Sequence, residues 1–242
     1  MEEKEKSLPP DFEPVQKDDI KNEECIFEVF KNENYEKILP NLIKEIDSQN
    51  LDKKTEDYPY FKPNNAVKYL PKLDEPSEIL NNTQLKEIHA QLPYFHQYAS
   101  FYRVFSISVD GSALKSFYKK CEGIKNSILV IKDDEGNIFG AYASDVFYPS
   151  STFCGNPDSF LFTFYKEDKI HVYKATEAND HYMYCDYEQI CFGNTDDYFS
   201  LSLKNNLLDG YSKTTTTYEN KPLNNKDKFV IFKLEVWSFK EK

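Results

Sequence analysis

Glycine is the first scarcity. The 242 residues hold seven, and none precedes Gly111. Phosphate-cradling loops need clustered glycines, because only a residue without a Cβ lets the backbone close on a pyrophosphate. No G-x-G-x-x-G and no G-x-x-x-x-G-K-[ST] occurs, so dinucleotide and triphosphate sites lack support. The G-x-S-x-G elbow and H-E-x-x-H are missing as well. Arginine is scarcer still, with Arg103 alone. Acids outnumber bases 41 to 30, a net charge of −11. Such a chain repels phosphate backbones and cannot offer repeated bidentate arginine contacts, which excludes nucleic acid as the expected partner. The five cysteines, Cys25, Cys121, Cys154, Cys185 and Cys191, are odd in number and form no C-x-x-C. A zinc site or a disulfide framework needs paired spacing, so the expectation is reduced thiols, no metal and no cofactor. No apolar run nears the ~20 residues that span a bilayer. The opening MEEKEKSLPPDFEP has no signal-peptide core, and Glu2 stands where myristoylation needs glycine. These features predict a cytoplasmic chain with no membrane insertion.

Aromatics are abundant instead: 19 Phe and 18 Tyr against one Trp. They favour strands and carry large buried area. The stretch 127–165 organises them. Two apolar runs, Ile128–Ile131 and Ile138–Ala143, flank the polar cluster Asp133-Asp134-Glu135-Gly136-Asn137, which predicts a β-hairpin. Ser127, Leu129 and Ile131 share one face, and Ile128, Val130 and Lys132 the other. Gly140 falls inside the second strand and predicts a bulge or a close backbone approach. A small-residue loop, Ser150–Ser159, follows, and then a strand from Phe160 to Tyr165.

Residues 1–76 differ in kind. They hold 8 of 12 prolines, no glycine, and 19 acids against 12 bases. The reading is a disordered acidic tract over 1–24 and a helical and extended arm over 25–76. Ile26, Phe27, Phe30, Ile38, Leu42, Ile43 and Ile46 have helical spacing, with Pro40 in or near a first turn. Tyr58, Tyr60, Phe61, Tyr69 and Leu70 would anchor a strap along the domain or present a partner-binding arm; composition does not choose. The globular part is expected over 77–242. A helix capped by Asn82 or Thr83 carries Leu85, Ile88 and Leu92 on one stripe and stops at Pro93, with His89 at its rim. A strand over 98–108 puts Phe101, Arg103 and Phe105 on one face. A second helix, capped by Ser112, packs Leu114, Phe117, Tyr118 and Cys121. After a turn at Glu167–Asp168 come strands over 169–176, 180–193 and 199–203. A last strand, 229–239, sets Val230, Phe232, Leu234 and Val236 against Phe229, Ile231, Lys233, Glu235, Trp237 and Phe239. Many short strands with few helices predict an α+β, mainly β fold: a two-sheet antiparallel β-sandwich flanked by helices, with the N-terminal arm appended.

The order of SFYKKCEG, the 127–165 stretch and LEVWSF resembles the TLDc domain of the oxidation-resistance and nuclear-receptor-coactivator families, over about residues 77–240. The resemblance implies the same sandwich, no enzymatic activity, and a vacuolar-type proton ATPase as protein partner. It marks Gly140, Ser144, Gly155, Gly193, Glu235 and Trp237 as family-like positions, with Ser144 on the strand face of Gly140. Two departures stand out. The family's glycine run after F-G is replaced by Asn194-Thr195-Asp196-Asp197, and its Gly-Arg-Ser-like turn reads Gly210-Tyr211-Ser212.

For chemistry, the best constellation is Cys154 with His171 or His181 and an acid, as a thiol nucleophile or a redox sensor; the alternative is an ordinary loop cysteine. Glu235 has a structural reading too, paired with Lys233 or accepting from a buried amide. Two functional classes remain open. One is an interaction module that regulates the proton ATPase, docking through Ser150–Ser159 and through Asn194, Asp196 and Asp197. The other is a structural component of a cytoskeletal or ciliary, microtubule-associated assembly.

Overall fold

The computed structural model describes residues 70–96, 99–164, 169–195 and 197–240. The acidic tract 1–24, the helices of 25–46, the anchors Tyr58, Tyr60, Phe61 and Tyr69, the Glu167–Asp168 turn and Asp196 lie outside the described residues.

The central hairpin forms as the alternation requires. β2 (Ser127–Asp133) and β3 (Ile138–Ala143) pair antiparallel without a register break. The buried Asp133 carboxylate closes the turn by accepting from the backbone N–H groups of Glu135 (3.1 Å) and Asn137 (2.7 Å) and from the Asn137 side chain (2.8 Å). Both faces of β2 are covered. Leu129 and Ile131 enter one apolar cluster, and Ile128 and Val130 a second.

The remaining strands are β1 (Ser100–Ser106), β4 (Phe153–Cys154), β5 (Phe160–Phe164), β6 (Ile170–Lys174), β7 (Met183–Cys185), β8 (Gln189–Thr195), β9 (Tyr198–Lys204), β10 (Asp209–Tyr211) and β11 (Lys228–Lys240). All pair antiparallel, in the order β4-β7-β8-β9-β10-β11-β2-β3-β5-β6, with β1 also on β11. The fold is mainly β with few helices, as expected. The strands are linked through β11 into one hydrogen-bonded path, open at β4 and β6, so the expected pair of sheets is joined at that strand and does not close. The cause lies in β11, which has 13 residues. Its first residues pair with β10, and from Ile231 onward it pairs with β2. Leu129, Ala141 and Leu161 from one end of the path share a single cluster with Met183, Phe192 and Leu203 from the other.

A β-bulge between Ile231 and Lys233 corrects the single alternation expected for the last strand. One inserted residue reverses which side chains face inward. Phe229 and Ile231 before the bulge and Leu234 and Val236 after it therefore enter the same cluster, while Trp237 enters the other. A shift between Arg103 and Phe105 does the same in β1, so Phe101 and Phe105 occupy different clusters. Gly210 and Tyr211, expected in a turn, lie in β10.

Helix α1 (Asn82–His89) is capped one residue earlier than expected. Asn81 Oδ1 accepts from the N–H groups of Thr83 (2.8 Å) and Gln84 (2.9 Å), and Gln84 Oε1 accepts from Asn81 N (3.0 Å), a reciprocal capping box. Leu85 and Ile88, with Leu92, pack on Ile128, Val130, Phe162 and Trp237. His89 is buried rather than at a rim. A 3-10 turn, Tyr94–His96, follows. The four-residue α2 (Ile107–Asp110) takes the end of the expected strand. α3 (Leu114–Lys120) begins after Ala113 with no side-chain cap, so Ser112 does not serve, but Leu114, Phe117 and Cys121 are buried as its spacing requires. No described helix is long and apolar enough to cross a membrane.

Candidate functional site

Glu235 is the most enclosed of the candidate residues that could carry charge, at 1% exposure. Its Oε2 accepts from Ser77 Oγ (2.6 Å) and Trp237 Nε1 (2.9 Å), and its Oε1 accepts from Glu78 N (2.8 Å). Arg103 Nη1 lies 3.8 Å away. The chain's one arginine also bonds Glu75 (2.5 Å), and its backbone N–H donates to Asp74 Oδ1 (3.0 Å). A buried carboxylate is tolerable only when paired and hydrogen-bonded, and this one is both. A backbone amide does donate to it, but that amide belongs to the exposed Glu78, and the buried donor is the Trp237 indole. The expected Lys233 pairing does not form: Lys233 Nζ reaches Glu78 Oε2 (2.6 Å) and Ser108 Oγ (3.0 Å) instead. Lys233 and Ser108 hold the Glu78 carboxyl below its usual range. Together these contacts fasten segment 74–80 across β1 and β11. Trp237 is part of that fastening, through its indole N–H.

Ser144 sits one residue past β3, not on the strand face of Gly140. Its hydroxyl shares a 2.7 Å hydrogen bond with Ser159 Oγ and accepts from Asn156 N at 2.8 Å. It thus ties down the returning end of the Ser150–Ser159 loop. A Cβ on Gly155 would stand 3.0 Å from the same Oγ. Ser144 binds the loop and Glu235 binds segment 77–78; no hydrogen bond among the described residues joins the two.

Gly140 is a close approach and not a bulge. A Cβ there would lie 1.9 Å from the Leu129 carbonyl oxygen and 2.9 Å from Phe162 Cζ. Gly193 has φ +60°, and a Cβ would meet Ser200 Oγ at 2.3 Å. Both positions need glycine for the backbone itself. Beyond Gly193 the expected acidic loop is shorter than the sequence suggested. Asn194 belongs to β8, with its N–H donating to Thr217 Oγ1 (2.9 Å) and its side chain to Tyr198 O (3.3 Å). Thr195 pairs with Tyr198, and Asp197 just before that pair is exposed.

Cys154 lies in β4. Burial, with Asp145 adding, pushes its thiol up to about 11. That is the wrong direction for a thiolate nucleophile. His181 does come near, but its ring stacks on Phe153 (3.9 Å, 17°) and its Nε2 lies 3.7 Å from Asp180. That stack opens a feature the linear reading missed. Phe153 also contacts Tyr184 (5.4 Å), and Tyr184 stacks on Phe199 (5.6 Å, 26°), giving a row of four rings over β4, β7 and β9. The signal was present in Tyr-Met-Tyr-Cys: Met183 and Cys185 turn into the core, so Tyr184 turns out.

The comparisons with known proteins can be set on this geometry. Residues 73–240 match the TLDc domain. Oxidation resistance protein 1 of Rattus norvegicus is 33% identical over 172 residues, 71% of this chain and 20% of that protein. The Homo sapiens protein of that name gives the same 33% over 172 residues. Nuclear receptor coactivator 7 of Homo sapiens is 32% identical over 171 residues, 70% of this chain and 18% of its own length. The chain therefore spans about a fifth of the length of these relatives. The matched span holds the buried Glu235–Trp237 fastening, the Ser144-tied loop and the close approach at Gly140, and it makes this chain a member of the TLDc domain family.

Proposed function

We propose that this chain is a non-enzymatic interaction module that binds subunits of the vacuolar-type proton ATPase and regulates that complex as part of protection against oxidative stress. The family supports the stress link, through relatives named for oxidation resistance. The ATPase as partner rests on the family resemblance. One observation carries the non-enzymatic reading. The lone pairs of Glu235 and the hydroxyl of Ser144, which a reaction would use, are taken up by hydrogen bonds that hold segment 77–78 and the 156–159 turn. A general base must reach a substrate proton, and a 1% exposed carboxylate already holding three donors is enclosed away from one.

In this reading the chain is cytoplasmic and meets the membrane only through its partner. The docking surface includes the Ser150–Ser159 loop and the turn at Asp197. Asp197→Lys reverses one exposed charge and should leave the melting temperature unchanged, since surface substitutions stay within about 0.5 kcal/mol. It should reduce co-precipitation of ATPase subunits in a salt-dependent way. Undiminished capture at every salt concentration removes the turn from the docking surface. Recovery of tubulin or axonemal proteins by wild type, with no ATPase subunits, replaces the regulatory reading with a structural one.

A further inference from the structure

The two outer faces of the strand path are treated differently. On the β2–β3–β5 side, α1 covers Ile128, Val130 and Phe162. On the β4–β7–β9 side, the row His181–Phe153–Tyr184–Phe199 faces outward, and the main helix contacts go to β1, β6 and β11 instead. Phe153 is 37% exposed. Acids stand beside the row: Asp180, whose side chain is 90% exposed and lies 3.7 Å from His181, and Asp186 next to Tyr184; Glu188 and Asp197 are exposed on the adjoining turns. The Lys213 ammonium lies 3.9 Å from the centre of the Tyr198 ring, while 3.5 Å from Asp227. Tyr198 precedes Phe199 in β9 and so turns to the opposite side, which leaves this cation off the row.

We propose that this face docks a basic segment of a partner protein, a helix or loop whose arginines and lysines stack on Phe153, Tyr184 and Phe199 and pair with the acidic rim. The inference rests on the interaction-module reading and supplies the partner's chemistry. Charge decides the occupant. The chain's own residues 1–76 carry 19 acids against 12 bases, and a second copy, at −11, would bring the same acidic rim. Both are repelled where a basic segment is attracted. Aromatic faces add a cation–π component that an acidic or neutral segment would lack. Desolvated planar guanidinium groups use it best.

The test is fluorescence anisotropy with the full chain and a labelled amphipathic helical peptide carrying arginine at every fourth position, against the same peptide with glutamate in those places. The arginine peptide should bind wild type, more weakly as salt rises, and the glutamate peptide should not. Phe153→Ser and Asp180→Lys should each weaken binding about tenfold, in line with one lost cation–π or ionic contact. Phe232→Ser, a change to an exposed ring on β11, should leave it unaltered. Circular dichroism melts report folding; if Phe153→Ser does not fold, Asp180→Lys decides. Equal binding of the two peptides, or no loss in Asp180→Lys, overturns the proposal. Cross-links from Asp180 to the chain's own lysines before Leu70 in the monomer would give the face to this chain and overturn it too. Failure here with ATPase capture intact sinks the face and not the module. Peptide binding without ATPase capture leaves the face standing and sinks the named partner.

Discussion

Single side chains set three measurable limits. The missing Cβ at Gly140 lets β3 approach Leu129 and Phe162 within ordinary van der Waals distance. Gly140→Val should cost about 3 kcal/mol, the upper part of the overpacking range, because the obstructing atom is backbone and cannot rotate away. A melting temperature equal to wild type would show that the strands can separate there without loss. At Cys154, the thiol pushed up to about 11 should react sluggishly with iodoacetamide near neutrality and accelerate only in strong alkali. Rapid labelling at neutral pH would restore the redox-sensor reading. His96 gives a pH signature. It is buried, stacked on Phe239 (4.0 Å, 18°), and neither ring nitrogen has a hydrogen-bond partner among the described residues. Burial lowers its pKa from 6.5 to about 4. The unfolded chain therefore binds the proton first, and the stability present above pH 6.5 is progressively lost as pH falls from 6.5 towards 4. Urea midpoints across that window should slope in wild type and flatten in His96→Phe; equal slopes would remove His96 as their source.

At the scale of elements, the fastening of segment 74–80 on β1 and β11 invites a direct perturbation. Glu235→Ala strips the acceptor from Trp237 Nε1, Ser77 Oγ and Glu78 N at once. Unpaired buried donors cost about 1–3 kcal/mol each, but Ser77 and Glu78 lie near the surface and can rehydrate, so a total of about 3 kcal/mol is expected. Glu235→Gln keeps an acceptor oxygen and should lose less. Hydrogen exchange at the Glu78 amide is the specific readout: it should quicken in Glu235→Ala well before the rest of β11 does. Unchanged protection at that amide would mean that the carboxylate does not hold the segment. The same strand shows why periodicity misled. The alternation over 229–239 was legible, but the bulge at Ile231–Lys233 was not, because a bulge arises from how a strand must bend between two partners and leaves no mark in its own hydropathy.

For the whole molecule, β11 is the joint. It pairs with β10, β1 and β2, and it places Leu234 and Val236 in one apolar cluster and Trp237 in the other. The two clusters should therefore unfold together. Trp237 fluorescence follows one, and the reactivity of the buried Cys185 thiol follows the other. Their urea transitions should coincide, as in a two-state domain. A gap between the midpoints would show that the strand path splits into separately stable halves.

The features legible from the order of residues are local. The hairpin at 127–143, the apolar stripe Leu85–Ile88–Leu92, and the family through SFYKKCEG, FGAYA and LEVWSF all depend on neighbours within a few residues, where side-chain spacing and turn chemistry act directly. The cap of α1 was missed by a single residue because three polar residues in a row, Asn81-Asn82-Thr83, can each cap, and only the position of Gln84 relative to the helix start selects Asn81. Contacts between distant residues were decided by tertiary structure alone. Glu235 meets Glu78 across 157 positions and Phe153 meets Tyr184 across a strand pair, and no local pattern encodes either meeting. The joining of the two ends of the strand path was likewise settled only by β11, which pairs with β10 over its first residues and with β2 beyond them.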